Sequence, residues 1–240
     1  AANPRANNTM GQIIRWQEQG DFSGETFHWN HLLLAGDRAN TRAEARGNIR
    51  GDVFAGPDTI AFDGRGVLWI GTDHSASGEG EFARMGNNAL LACNPVSGEV
   101  RRFLVGPVRC EITGCTWTPD GRTMFLNVQH PGSGAPRNGS QPRRFSNWPD
   151  FKPAGRPRSS TVVVRRTDGG VIGAVMPLPP ALTGLTIAMS LRSLSAIRSS
   201  GRPSSAESTA TACESSASKP GRESSLSSCT ASRRRASRWK

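Results

Sequence analysis

Two acidic residues precede two similar apolar segments, and carboxylates in such positions can bind a metal ion. Asp58 follows Gly56 and Pro57 at the start of the first segment, and Glu111 lies just before the start of the second. Carboxylates suit hard cations such as calcium and also bind ferric iron. The sequence therefore predicts Asp58 and Glu111 as metal ligands. The alternative is a local structural role, such as turn formation by Asp58.

Other residues carry weaker chemical signals. Asp73 ends the first segment, where a turn or capping role is favoured over metal binding. Arg109 could hold phosphate oxygens bidentately, but a surface ion pair explains it equally well. His28 and His31 lack the acidic residue of an HExxH zinc motif, so packing or surface roles are predicted for the histidines. Neither a nucleophile elbow nor a dinucleotide fingerprint occurs, so catalytic and substrate-binding residues stay unassigned.

The two segments repeat one pattern at an offset of about 55 positions. Residues 58–73 (DTIAFDGRGVLWIGTD) and 113–129 (TGCTWTPDGRTMFLNVQ) each contain an apolar run, a Gly turn and a second apolar run. Such a hairpin cannot bury its apolar face alone, so the repeat predicts an all-β fold of the β-propeller type. Two unrelated hairpins with the same turn chemistry are the alternative. In a propeller, strand starts line a central channel, where acids from several blades converge.

Further apolar runs predict additional strands between irregular connections. These runs cover residues 12–17, 31–34, 88–94, 99–105 and 160–166. Residues 38–50 are predicted to form a loop or a surface helix, and the Pro- and Gly-rich residues 131–157 a long loop.

The composition changes near residue 173, and this divides the chain into residues 1–173 and 174–240. The second part carries 10 Lys or Arg against 3 Asp or Glu, and Ser occupies 17 of its last 51 positions. Such a segment cannot bury a core and is predicted to be disordered. We favour a frameshifted tail as its origin. A genuine basic arm that binds nucleic acid, densest at residues 233–235, is the alternative.

No membrane span, export signal or disulfide framework is predicted. Residues 171–189 are uncharged and approach the length of a bilayer span, but Pro177, Pro179 and Pro180 would break a helix there. The first residues lack the pattern of a signal peptide. Three cysteines precede the tail without CxxC spacing, and we expect buried free thiols; they are Cys93, Cys110 and Cys115.

Several long blocks, in order, resemble the C-terminal part of the PhoX-type alkaline phosphatases. They are NPRANN (3–8), GPDTIAFDGRGVLWIGTD (56–73), GNNALLACNPVSGEVRRFLVGPVRCEITGCTWTPDGRTMFLNVQHPG (86–132), SNWPD (146–150) and RPRSSTVVVRRTDGGVIG (156–173). The resemblance implies a β-propeller, export to the periplasm or beyond, phosphate-monoester substrates, and an iron and calcium cluster in the central channel. It implies a metal-ligand role for Asp58, and it places Glu111 in a recurring Cys-Glu-x-Thr-Gly segment.

The departures from the family pattern limit what the resemblance implies. The family's metal-binding cysteine, further carboxylates and an Arg-Pro-Glu segment belong upstream of the part matched here. Cys110 and Arg109 do not replace them. We therefore expect a partial propeller that is a fragment of a secreted metal-dependent phosphatase, weak or inactive alone. The alternatives are a basic-tailed nucleic-acid-binding protein and a non-catalytic metal-binding propeller module.

Overall fold

Short strands make up nearly all the regular structure of the described residues. The structure, a computed structural model, describes residues 3–20, 24–74, 80–134, 145–153 and 155–173, and the backbone of one more strand at Thr186–Ser190. All of these lie in one compact unit, Ala1–Ser199. The helices found in these ranges are two single 3-10 turns, Ala43–Ala45 and Gly80–Phe82. The all-β prediction is confirmed.

The strands form three sheets. Along the chain they are β1 (Gln12–Glu18), β2 (Phe27–Leu34), β3 (Arg50–Gly51), β4 (Pro57–Phe62), β5 (Leu68–Thr72), β6 (Ala89–Cys93), β7 (Glu99–Val105), β8 (Glu111–Trp117), β9 (Thr123–Gln129), β10 (Ser160–Arg165) and β11 (Thr186–Ser190). The sheet orders are β11-β1-β2, β3-β7-β6-β5-β4 and β10-β9-β8. All pairings are antiparallel except that of β3 with β7.

The repeated segments form two matching hairpins, β4–β5 and β8–β9. The last paired residues before each turn are Phe62 with Leu68 in the first hairpin and Trp117 with Met124 in the second. Each turn contains a glycine with positive φ, 84° at Gly66 and 66° at Gly121, a conformation that glycine adopts without steric cost. Each hairpin also has one register shift near its open end. The repeat therefore reflects shared backbone geometry as well as shared turn chemistry.

The five-stranded sheet is covered on both faces. Successive side chains of a strand point to opposite faces, so Leu68 and Ile70 enter one core cluster while Trp69 enters another. The first cluster also contains Ile13 of β1, and the second contains Ile112 of β8. This sheet thus packs between the other two, which explains why β5 and β6 are buried along their whole length.

The hairpin β4–β5 approaches β8 at a glycine. A Cβ atom on Gly71 would lie 2.3 Å from the carbonyl oxygen of Ile112 and 2.4 Å from the hydroxyl oxygen of Thr59. Interiors are packed too closely to absorb such a contact without backbone movement. Gly71 therefore allows the two hairpins to pack backbone against backbone.

The irregular segments partly match the sequence-based expectations. Residues 38–50 contain the 3-10 turn Ala43–Ala45 and no longer helix, and the described parts of 131–157 contain no strand. β2 begins at Phe27, earlier than predicted, because it pairs with β1 as far as Glu18. No helix in the described ranges is long and apolar enough to cross a membrane.

One strand lies inside residues 174–240, the segment predicted to be a disordered or frameshifted tail. β11 pairs with β1, with Gln12 opposite Ser190. The apolar run TIAMS gives one side of β1 a backbone partner, which explains a strand there. Residues 174–185 and 191–240 lie outside the described residues, so the disorder predicted for them stays a prediction.

The three cysteines outside the predicted tail are free thiols. Cys93 and Cys110 are buried and Cys115 is half-buried, as predicted for the first two. Burial raises the pKa of each thiol to about 12. Since the thiolate is the reactive and metal-binding form, these cysteines are inert at neutral pH.

Replacing Gly71 by alanine tests the close approach of the hairpins. G71A should lower the free energy of unfolding by about 3 kcal/mol, because the added methyl group meets the backbone of β8 and a rigid core resists overpacking. Urea unfolding followed by tryptophan fluorescence measures this change. G64A is the matched control, since a Cβ atom on Gly64 has no neighbour within 4 Å. Equal effects of the two substitutions would contradict the packing argument.

Candidate metal centre

The two matching hairpins bring four polar side chains, called the acidic cluster below, to one edge of the fold. Asp58 lies in β4 and Asp73 directly follows β5, while Glu111 begins β8 and His130 directly follows β9. Pairing of Pro57 with Thr72 and of Glu111 with Gln129 places each pair at the open end of its hairpin. The approach of Gly71 to Ile112 then brings the two open ends together.

The ligand atoms of this acidic cluster lie close enough to share one ion. Oxygen or nitrogen atoms of Asp73, Glu111 and His130 all lie within 4.8 Å of one another. Asp58 joins them through a side-chain hydrogen bond with Glu111. Glu111 is buried and Asp58 half-buried, whereas Asp73 and His130 are exposed. The cluster therefore has a buried base and an open side.

Glu111 is the electrostatic centre of the cluster. Burial, the negative charges of Asp73 and Asp58, and a hydrogen bond with Asp58 raise its pKa to about 6, and His130 acts in the opposite direction. Its Oε2 atom accepts a hydrogen bond of 2.8 Å from Gln129 Nε2 and lies 3.2 Å from His130 Nε2. Three carboxylates held this close repel one another when ionised, and a bound cation would relieve that repulsion.

The donor set fits a hard cation. Carboxylate oxygens are the preferred ligands of calcium, and carboxylate with imidazole also suits iron. The observation that supports this fit is Glu111, whose pKa is raised by burial and by the negative charges of Asp73 and Asp58.

Comparison with known proteins identifies the family. The family profile described as "Alkaline phosphatase PhoX" matches residues 1–132, which include the whole acidic cluster. The chain belongs to the PhoX alkaline phosphatase family. The PhoX resemblance and the β-propeller fold class predicted from the sequence are therefore confirmed. The profile covers a shorter range than residues 1–173, over which the blocks quoted above extend.

A solved structure, "Pseudomonas fluorescens PhoX in complex with vanadate, a transition state analogue", is similar to this PhoX-family chain. The identity is 40% and the TM-score 0.65, over 72% of this chain and 29% of that one. The chain therefore spans less than a third of the length of that relative. No curated protein matches it in sequence.

The structure places the predicted site residues in different surroundings. Asp58 and Glu111, which occupy similar positions at the start of the two repeated segments, form a side-chain hydrogen bond with each other. Arg109 lies in the loop before β8, where its guanidinium covers the ring of Phe145 at 3.9 Å and Nη1 donates to the carbonyl of Ser133 at 3.4 Å.

The histidines His28 and His31 lie apart from the acidic cluster, on β2. His31 packs edge-to-face against Trp29, with 5.4 Å between ring centroids. This contact agrees with the packing or surface role predicted for the histidines.

Sequence reasoning missed His130 and favoured a turn or capping role for Asp73. The repeat contained a usable signal for both residues. Asp73 and Gln129 are the last residues of the two repeated segments, so His130 follows the second segment as His74 follows the first. Extending the alignment by one residue would have placed His130 beside the acids. His74 itself is buried and stacks on Phe82, with 5.2 Å between the rings.

The raised pKa of Glu111 predicts a pH dependence of stability. An unfolded Glu111 ionises near 4.5, whereas the folded one keeps its proton up to about 6. Between these values unfolding releases a proton, so the contribution of Glu111 to stability falls as the pH rises through this window. The free energy of unfolding in EDTA, measured from pH 4 to 7, should therefore fall more steeply for the native chain than for E111Q.

Calcium provides the control for this prediction. A saturating amount of calcium should reduce the difference between the two pH profiles, since the cation compensates the charge of ionised Glu111. Parallel profiles of the native chain and E111Q in EDTA would contradict the electrostatic account.

Proposed function

We propose that this chain carries one cation site of a secreted PhoX-type phosphatase that hydrolyses phosphate monoesters. Asp58, Asp73 and Glu111 hold calcium there, with His130 beside them. The convergence of two further carboxylates, Asp58 and Asp73, on the buried Glu111 carries this proposal. Family membership supports the phosphatase assignment.

The site has a fixed inner side and an open outer side in this proposal. Gln129 holds Oε2 of Glu111 by a 2.8 Å hydrogen bond, and so fixes the orientation of the buried carboxylate. Asp73 is exposed, which leaves the outer side of the site open to a small phosphate ester. A bound hard cation would neutralise phosphoryl oxygens and favour ionisation of the attacking group.

Iron is the second metal that the family resemblance implies. The imidazole of His130 is the donor in the cluster that iron accepts more readily than calcium does. Cys110 is not a candidate ligand in this structure, because it is buried and burial raises the pKa of its thiol to about 12.

We further propose that the chain is a fragment with weak activity alone. It spans 29% of the solved PhoX relative, and a phosphatase site needs groups that hold both the metals and the phosphate. Periplasmic or secreted location rests on the family resemblance. A non-catalytic metal-binding module is the second candidate, because the same acidic cluster supports it. Nucleic-acid binding rests on the basic tail, which lies almost wholly outside the described residues.

Calcium titration of the metal-free chain by calorimetry tests the site. The native chain should bind one calcium ion, and D58N, D73N and E111Q should each weaken binding at least tenfold, since each removes a ligand charge. D150N is the matched control, because Asp150 forms an exposed ion pair with Arg158 outside the acidic cluster. Absence of calcium binding to the folded native chain would contradict the proposed site.

Hydrolysis of p-nitrophenyl phosphate by the calcium- and iron-loaded chain separates the two candidate functions. Slow release of nitrophenol that D58N abolishes and D150N preserves would support a weak phosphatase. Calcium binding with no hydrolysis above that of D58N would assign the chain to the non-catalytic class.

A further inference from the structure

The side chain of Asn88 contacts the backbone on both sides of the acidic cluster. Asn88 directly precedes β6 and is 1% exposed. Its Oδ1 atom accepts hydrogen bonds from the hydroxyl of Thr72 at 3.0 Å and from the amide of His74 at 2.9 Å. Its Nδ2 atom donates to the carbonyls of His74 at 3.2 Å and Cys110 at 2.7 Å. One side chain thus connects the end of β5 with the start of β8.

These contacts flank two of the proposed ligands. Thr72 and His74 are the neighbours of Asp73, and Cys110 directly precedes Glu111. Asp73 is held further by its own amide, which donates to the carbonyl of Gly56 at 2.8 Å. The positions of the two carboxylates relative to each other therefore depend on the amide of Asn88.

A device of this kind is needed because the carboxylates repel each other. Asp73 is a principal source of the negative charge around Glu111. This repulsion favours a wider spacing of the two segments in the absence of a cation, and a connection between their backbones adds to the hairpin packing that opposes it. A connection through uncharged hydrogen bonds holds them without altering the charge of the cluster.

The chemistry of the contacts explains why an amide is required. Asn88 accepts two hydrogen bonds and donates two, which uses both donors and both acceptor sites of a primary amide. An aspartate would keep the acceptors but would remove the hydrogen bonds that Asn88 donates to the carbonyls of His74 and Cys110, and it would add a charge beside the acidic cluster. Buried carbonyls without a donor are costly.

The surroundings of Asn88 hold its side chain in place. The carbonyl of Asn88 accepts a hydrogen bond of 2.8 Å from the amide of Gly106. A Cβ atom on Gly106 would lie 2.3 Å from Sγ of Cys110, so this turn packs directly on the segment that carries Glu111. The amide of Ala89 donates to the hydroxyl of Thr72 at 2.9 Å, which orients this hydroxyl toward Asn88.

We propose that Asn88 is a positioning residue that sets the spacing of Asp73 and Glu111 for cation binding. This inference rests on the cation site proposed above. Asn88 acts through the backbone, since its described contacts are with main-chain groups and one hydroxyl. Groups of this kind, one step removed from a metal, commonly contribute ten- to hundredfold to metal affinity.

The first test is made on the full chain without metal. Hydrogen exchange measured by mass spectrometry in EDTA should show at least tenfold faster exchange in residues 72–74 and 110–112 of N88A and N88D. N94A is the matched control. Asn94 is also a buried asparagine, and its side chain accepts hydrogen bonds from the amides of Val96 and Ser97 in the β6–β7 turn. The faster hydrogen exchange in N94A should be confined to the β6–β7 turn.

The second test is calcium titration of the same variants. N88A and N88D should bind calcium at least tenfold more weakly than the native chain, whereas N94A should bind within twofold of it. N88D keeps the side-chain volume and the accepted hydrogen bonds, and the charge that it adds would by itself strengthen calcium binding, so weaker binding to N88D carries the test if N88A does not fold. Failure of both variants to fold would assign Asn88 to folding alone and overturn the proposal.

The outcomes separate this inference from the proposed function. If the native chain does not bind calcium, the proposed cation site is wrong, and the exchange measurement still decides whether Asn88 holds the two segments. Unchanged exchange in both Asn88 variants would overturn the positioning role. So would unchanged calcium affinity in a native chain that binds calcium, because Asn88 would then be only structural.

Discussion

Where β5 packs against β8, the fold has no room for a side chain. Gly71 brings the backbone of one hairpin against the carbonyl of Ile112 in the next, and a Cβ atom there would lie 2.3 Å from that oxygen. The second core cluster closes around this contact, with Trp69 on one hairpin and Met124 on the other. The same contact fixes the relative position of the open ends, where the acids converge. Packing and chemistry therefore share one steric constraint.

The acidic cluster shows how such a fold can hold like charges together. The packing of the hairpins and the hydrogen bonds of Asn88 oppose the repulsion among Asp58, Asp73 and Glu111. Part of that repulsion is visible in the raised pKa of Glu111. A site built in this way is preorganised, since the energy needed to bring the carboxylates together is supplied when the chain folds. Under the proposed function, a cation would meet carboxylates that are already in position.

The sequence predicted much of the fold, because the repeat encodes local chemistry. Apolar runs on either side of a Gly turn specify a hairpin within a few residues, and Asp58 and Glu111 could be found from their position before such runs. The sequence did not indicate β11, because its pairing with β1 joins distant parts of the chain. The composition of residues 174–240 gave no sign of that partner.

The rest of the site could not be predicted from local patterns. His130 and Asn88 acquire their roles only when the two hairpins are packed together. Register shifts near Pro57 and Thr113 also change which side chains face the cluster, and no spacing rule indicates them. The sequence favours a turn or capping role for Asp73, because Asp side chains commonly form turns. Its neighbours across the hairpin interface, which the sequence does not reveal, bring it into the acidic cluster.

The sheet of β11, β1 and β2 has a consequence for the order of folding. β1 pairs with β2 across a short connection, but its pairing with β11 joins residue 12 to residue 190. The entropy lost in closing a loop grows with its length, so this pairing forms late compared with the hairpins. During synthesis, β1 leaves the ribosome long before its second partner exists. One edge of β1 therefore stays open until residues 186–190 have been made, and an open strand edge favours association with other chains.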